Sequence, residues 1–131
     1  MAQITRIGTP SLCSLLPNGA DVLAGRIAGE DLSAFDAVHI KADGLVWKST
    51  GAAANASAKV RGYAAKAVKA GQAITVYKNV RVEYGSAMTP GTDVYLSATA
   101  GTLSDVPTTG GTAPIGFVVD ATRVQLFESR Y

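Results

Sequence analysis

The chain has 131 residues, of which 47% are hydrophobic and 17% charged, and its formal net charge is +2. This length suffices for one domain with a buried core, so neither a disulfide nor a metal is needed for folding. The single cysteine, Cys13, allows no intrachain disulfide. Scattered Lys and Arg residues argue against nucleic-acid binding, and no apolar run is long enough for a transmembrane helix. Without a recognisable secretory signal, synthesis and retention in the cytoplasm are expected.

Residues 1–29 are predicted to form an irregular N-terminal arm. Glycine and proline interrupt this stretch every few residues, too often for a long helix or strand. Apolar residues recur between the breaks, which a disordered polar tail would not contain. The arm could lie across a partner or fold back on its own domain, and the sequence leaves both alternatives open. The candidate partner-binding anchors are Ile4, Ile7, Leu12, Leu15 and Leu16.

Residues 30–131 are predicted to form one all-β domain, because two related patterns follow each other along the chain. Each pattern predicts a strand, a glycine turn, a second strand, a loop of small residues and a third strand. The first copy comprises residues 36–40, 43–46 and 59–64, and the second comprises residues 92–96, 100–103 and 113–118. The aligned pairs include Val38 with Val94, Gly44 with Gly101, Gly62 with Gly116 and Tyr63 with Phe117. Such a duplication predicts a small barrel or sandwich whose copies are related by approximate two-fold symmetry.

The segments outside these patterns complete a prediction of about eight short strands. Residues 73–77 and 80–84 alternate in polarity and predict a hairpin around Lys78-Asn79. Residues 123–127 alternate again. Residues 51–58 are small and predict a loop. Residues 63–70 are compatible with a short helix closed by glycine, but their counterpart in the second copy contains β-branched residues, so we predict a strand.

No arrangement of residues in the sequence indicates catalysis, so the chain is predicted not to be an enzyme. His39 is the only histidine and alternates with apolar residues, so it is interpreted as a solvent-facing or partly buried spacer in a strand. One His and one Cys cannot form a zinc site, and no metal or other cofactor is predicted. Asp36 and Asp93 are interpreted as matching turn residues, although paired carboxylates can perform acid–base chemistry.

Aromatic side chains fall mostly on the predicted strands. They could form a stacking platform for sugars or bases, but core packing explains them with fewer assumptions. They are Trp47, Tyr63, Tyr77, Tyr84, Tyr95 and Phe117.

Three segments of the second copy resemble a pattern found in tailed-phage capsid decoration proteins, also called cement or head-stabilising proteins. The elements are a Val-Tyr-Leu strand two residues after a glycine, a Gly-Thr-Leu strand and a Pro-apolar-Gly-aromatic strand. Residues 28–32 and 36–40 follow the same style, so the resemblance covers about residues 28–127. The segments that carry it are Thr89–Ser97, Gly101–Asp105 and Pro114–Val118.

The resemblance implies a viral structural protein on the outer surface of the virion, made in the host cytoplasm. It would bind the exterior of an assembled phage capsid, often as a homotrimer, and stabilise it by bridging subunits of the major capsid protein. Neither a nucleic acid nor a membrane is expected as a partner. The alternative is a head-fibre or adhesin module that uses strand aromatics to bind host-surface carbohydrate.

Overall fold

The computed structural model describes residue 4 and residues 11–12, 22–53, 56–85 and 88–127. Regular structure in these residues is almost entirely β, so the predicted all-β class is confirmed. It includes one short 3₁₀ helix at Ala56–Ala58. The strands are β1 (Ser11–Leu12), β2 (Val22–Ile27), β3 (Ala37–Ile40), β4 (Val46–Lys48), β5 (Gly62–Ala64), β6 (Ala73–Tyr77), β7 (Asn79–Glu83), β8 (Asp93–Leu96), β9 (Leu103–Ser104), β10 (Gly116–Val118) and β11 (Arg123–Phe127).

The strands form two antiparallel sheets packed as a sandwich. The first sheet has the order β2-β6-β5-β3-β4, and the second has the order β1-β7-β11-β10-β8-β9. If β1 is set aside, the second order repeats the first with β7–β11 in place of β2–β6. The duplicated unit therefore contains five strands, two more than the sequence pattern indicated.

The strand register supports the alignment of the two copies at its glycines. Gly62 pairs with Val38 in the first sheet, and Gly116 pairs with Val94 in the second. A Cβ on either glycine would meet the backbone of the next strand, β6 or β11, at less than ordinary contact distance. Glycine is therefore required at both positions because a neighbouring strand approaches too closely for a side chain.

Asp36 and Asp93 do not occupy equivalent positions, so their predicted match is wrong by one residue. The pairing with β5 and β10 makes Asp93 the counterpart of Ala37. Asp36 is buried and accepts a hydrogen bond from the Ser33 N–H at 2.8 Å, which is a turn role. Asp93 is exposed on its strand.

The two copies stack head to tail, so the predicted two-fold symmetry is wrong. The main core lies between the sheets and includes Val94 from the second sheet. From the first sheet it includes Ala37 and not Val38, the counterpart of Val94. Val38 points to the other face of its sheet and packs with Leu32 and Val68 in a second, smaller core. A two-fold axis between the sheets would have brought equivalent faces together.

The described part of residues 1–29 is more regular than predicted. Irregular structure is wrong over Val22–Ile27, which forms β2 and pairs with β6. This strand is the counterpart of β7, which occupies the same place beside β11. Its register shifts between Leu23 and Arg26, where Gly25 has φ 74°. The irregularity and the glycine explain why the strand lacked a clear alternating pattern.

Two other local predictions require correction. The hairpin around Lys78-Asn79 is wrong, because β6 belongs to the first sheet and β7 to the second. The chain crosses between sheets there, since β6 ends one copy and β7 begins the next. The strand over residues 63–70 is confirmed only to Ala64, where β5 ends. Beyond it Val68 forms an isolated bridge with Leu32 and covers the smaller core, and no helix forms over residues 62–72.

Candidate interaction surface

The predicted anchors of the N-terminal arm can be located only in part. Ile4 is 7% exposed, packs in the main core and donates its N–H to the carbonyl oxygen of Leu103 at 3.0 Å. At this residue the structure matches the alternative in which the arm folds back on its own domain. The backbone of Leu12 pairs with β7 through Val82. The remaining anchors, Ile7, Leu15 and Leu16, lie outside the described residues.

His39 is a buried residue that lies beside Ser49. Its side chain is buried, and its Nδ1 lies 3.5 Å from the Oγ of Ser49, which donates a hydrogen bond to the Lys59 carbonyl oxygen at 2.7 Å. Burial, with the positive charge of Lys41, lowers the pKa of the His39 imidazole. Ser49 is fully buried, so no substrate could reach it. The described part of the chain contains no cluster of three or more His, Cys, Asp or Glu residues suited to a metal ion.

The aromatic residues divide between core and surface. Tyr63 and Tyr84 are fully buried, which confirms core packing for them, and Tyr77 packs against the same core. Phe117, the counterpart of Tyr63, is 43% exposed. Because the copies stack head to tail, equivalent faces of the two sheets have different environments. The face that carries Tyr63 is buried in the first sheet, whereas the face that carries Phe117 points outward from the second.

The outer face of the second sheet carries one continuous row of paired residues. The register places Asp93 beside Phe117, Phe117 beside Gln125, and Gln125 beside Arg81. Four neighbouring strands contribute one residue each, so the row spans about 14 Å at the usual strand spacing. We call these four residues the Phe117 row.

Hydrogen bonds order the polar end of the Phe117 row. The Arg81 Nε donates to the Gln125 Oε1 at 3.3 Å, and the Gln125 Nε2 donates to the Asn79 Oδ1 at 2.8 Å. Beside the row, the guanidinium of Arg123 lies 3.9 Å from the Glu83 carboxylate. Polar side chains on this face are therefore positioned by one another and by the rigid sheet.

The equivalent row of the first sheet has a different chemistry. It contains Ala37, Tyr63, Tyr77 and Val22, paired in the same order. In the second copy Asp93, Gln125 and Arg81 replace three of these residues, and an aromatic ring remains only at position 117. The aromatic ring is thus kept, while Asp93 and Arg81 add charged groups and Gln125 replaces a second aromatic ring with an amide.

The small-residue loops pack against each other. The Gly51 N–H donates to the Ser97 carbonyl oxygen at 2.8 Å, and the Gly110 N–H donates to the Gly51 carbonyl oxygen at 2.8 Å. A Cβ on Gly110 would meet the carbonyl of Ala53 and lie 2.8 Å from the Cβ of Ala58. The small side chains therefore allow contact between the two copies.

A shallow cavity lies over the smaller core, on the outer face of the first sheet. Its volume is about 330 Å³, and its lining includes Asp31, Lys48, Lys69 and Gln72. The Asp31 carboxylate accepts the Ala70 N–H at 2.9 Å, which lowers the pKa of Asp31. It also lies 3.7 Å from the Lys69 ammonium group. The charged groups of this cavity thus include an ion pair between Asp31 and Lys69.

The Phe117 row is not predicted by the sequence. Phe117 aligns with Tyr63, and this shared strand position predicts that both residues lie in the core. Alternation separates the two faces of a strand but does not say which face a second sheet will cover. The signal that was available is the loss of apolar character at Asp93, Gln125 and Arg81 in the second copy.

No protein-family model matches the chain, and no curated protein matches it either. Among the described residues, no helix has the length and apolar character that crossing a membrane requires.

Proposed function

We propose that this chain is a non-catalytic structural protein of a tailed phage that binds the exterior of the assembled capsid. It stabilises the capsid by bridging subunits of the major capsid protein, and it resides on the outer surface of the virion after synthesis in the host cytoplasm. The observation that supports this most directly concerns the motifs of the resemblance. They form the adjacent strands β9, β8 and β10, and their architecture repeats in the first copy.

The fold suits a role in reinforcement. Two sheets share one continuous core, and the loops of the two copies are hydrogen-bonded to each other. Such a body transmits load without large internal rearrangement, because packed cores deform little. A protein that binds only the assembled lattice stabilises that lattice by mass action. Many copies, each weakly bound, would act together.

The capsid contact is assigned to the N-terminal arm. Ile4 already belongs to the core of the domain, so the arm residues proposed to reach a capsid subunit are Ile7, Leu12, Leu15 and Leu16. A homotrimer is proposed for the bound form, since three copies around a lattice axis would bridge several subunits at once. Light scattering of the free protein measures its self-association. A stable dimer would contradict the trimer.

The decisive experiment compares phage particles with and without this chain. Particles that lack it should assemble but release DNA at a lower temperature, and adding the purified protein should restore their resistance. A variant with Leu15→Asp and Leu16→Asp should fail to restore it, whereas Val106→Ala, at an exposed loop position, should succeed. If undecorated particles resist heat as well as decorated ones, capsid reinforcement is wrong, and the head-fibre or adhesin alternative takes precedence.

A further inference from the structure

We propose that the Phe117 row is a binding surface for an oligosaccharide chain. This site is separate from the capsid contact, which is assigned to the N-terminal arm, and it does not depend on that contact. The ligand is defined by its chemistry: linked pyranose rings that offer an apolar C–H face and several hydroxyl groups. The candidate site residues are Asp93, Phe117, Gln125 and Arg81.

The side chains of the row match both halves of that chemistry. Phe117 is 43% exposed, so its apolar ring is available to the C–H face of a sugar. Asp93 accepts hydrogen bonds, Arg81 donates them, and the Gln125 amide can do both. Sugar hydroxyls are donors and acceptors at once, so a mixed set of planar polar groups around one ring is complementary to them. The negative and positive ends of the row also balance, as suits a polyhydroxylated chain without net charge.

The composition of the row favours a sugar over a protein surface. Protein interfaces have a central apolar cluster from which charged residues, Asp and Glu among them, are depleted. Here the two residues paired with Phe117 are Asp93 and Gln125. A protein partner would have to desolvate these polar groups in order to bury one aromatic ring. A sugar supplies hydrogen bonds to the same groups.

The length of the row favours a chain of sugars over a single sugar. The row crosses four strands over about 14 Å, and the residues within it are held by the sheet and by the Arg81–Gln125–Asn79 hydrogen bonds. Pre-ordered side chains lose little conformational freedom on binding, which favours affinity. An extended ligand lying along the row can contact Phe117 and the polar groups on both sides of it.

The comparison of the two copies supports a ligand at this surface. A face that needed only solubility would lose its aromatic residue along with its other apolar groups, because a polar residue at position 117 would serve better. The second copy has Asp93, Gln125 and Arg81 where the first has Ala37, Tyr77 and Val22, and it keeps an aromatic ring exposed at position 117. That combination is explained by a ligand that needs both.

The test uses the purified full chain on a glycan array, followed by saturation-transfer NMR with the oligosaccharides that bind. Phe117→Ala should weaken binding at least tenfold, Phe117→Trp should preserve it, and Gln125→Ala should weaken it to a smaller extent. Ile40→Ala is the matched control, because Ile40 is 37% exposed and lies in β3 of the first sheet. Thermal unfolding of each variant establishes that it is folded.

Two outcomes would overturn the proposal. The first is that no oligosaccharide binds at a concentration where the protein remains monodisperse. The second is that sugar binding survives in folded Phe117→Ala. If Phe117→Ala instead abolishes attachment to capsids without any sugar binding in the parent protein, the row is a protein contact.

Discussion

The hydroxyl group of Tyr63 links the first sheet to the second copy, and its removal should measurably weaken the fold. The side chain is fully buried. Its Oη donates toward the Phe127 carbonyl oxygen at 2.9 Å and toward the Ile115 carbonyl oxygen at 3.2 Å. The Ile115 carbonyl also accepts the Phe127 N–H at 3.0 Å. Tyr63→Phe keeps the ring and removes only this polar link.

The size of the effect follows from one hydroxyl hydrogen shared between the buried carbonyl of Ile115 and the partly buried carbonyl of Phe127. A neutral hydrogen bond contributes about 1 kcal/mol net, and a buried acceptor left short of a donor raises the cost. We expect Tyr63→Phe to lower the free energy of unfolding by about 1–2 kcal/mol. Because the unfolding entropy is about 2.1 cal/mol/K per residue, the melting temperature should fall by about 4–7 °C.

Urea denaturation and calorimetry measure this loss. Tyr95→Phe is the matched control, because the Tyr95 ring is half-buried and its hydroxyl makes no hydrogen bond within the described ranges. Burial also raises the pKa of Tyr63 well above 10. The unfolded chain therefore releases this proton first as the pH rises through about 10, so stability falls there in the parent protein and less in Tyr63→Phe. A loss below about 0.5 kcal/mol with an unchanged alkaline slope would refute the reasoning.

Three further predictions concern packing and pH. Gly62→Ala and Gly116→Ala should each cost about 1–3 kcal/mol in urea denaturation, because the new Cβ meets the neighbouring strand; unchanged midpoints would contradict the close approach. Ile4→Ala should cost about 2–3 kcal/mol in the free protein, since Ile4 lies in the main core; no loss of stability would mean that Ile4 serves a partner instead. The lowered pKa of His39 means that the unfolded state binds its proton first, so stability is present above pH 6.5 and declines as the pH falls below it. His39→Gln should flatten that decline in unfolding measurements between pH 7 and 5, and an equal decline in both proteins would assign it to other groups.

The all-β class and the central alignment of the two copies could be predicted from the sequence, because both depend on local constraints. Gly44 and Gly101 have φ near 80° in equivalent hairpin turns, and a positive φ favours glycine strongly enough to be visible in a single chain. Gly62 and Gly116 are fixed by close contact with a neighbouring strand. Each constraint acts within a few residues or one strand pair.

Predictions that depended on which elements meet across the molecule were wrong. Lys78-Asn79 has the composition of a hairpin turn, but β6 pairs with β2 and β5, whereas β7 pairs with β1 and β11. β2 was missed because its register shift at Gly25 interrupts the alternation. The two-fold symmetry failed because a pattern of period two does not determine whether like or unlike faces pack together.

Head-to-tail stacking raises the question of why the stack ends after two copies. A heterologous contact leaves one unsatisfied face at each end and can continue indefinitely unless something closes it. At one end, Leu32 and Val68 cover the face of the first sheet that carries Val38. At the other, Asp93 and Arg81 place charges where the first sheet has Ala37 and Val22, so a third apolar sheet would have to bury them. These two outer faces therefore do not accept a further sheet, and the stack stops at one sandwich. Phe117 is the one aromatic residue of the Phe117 row.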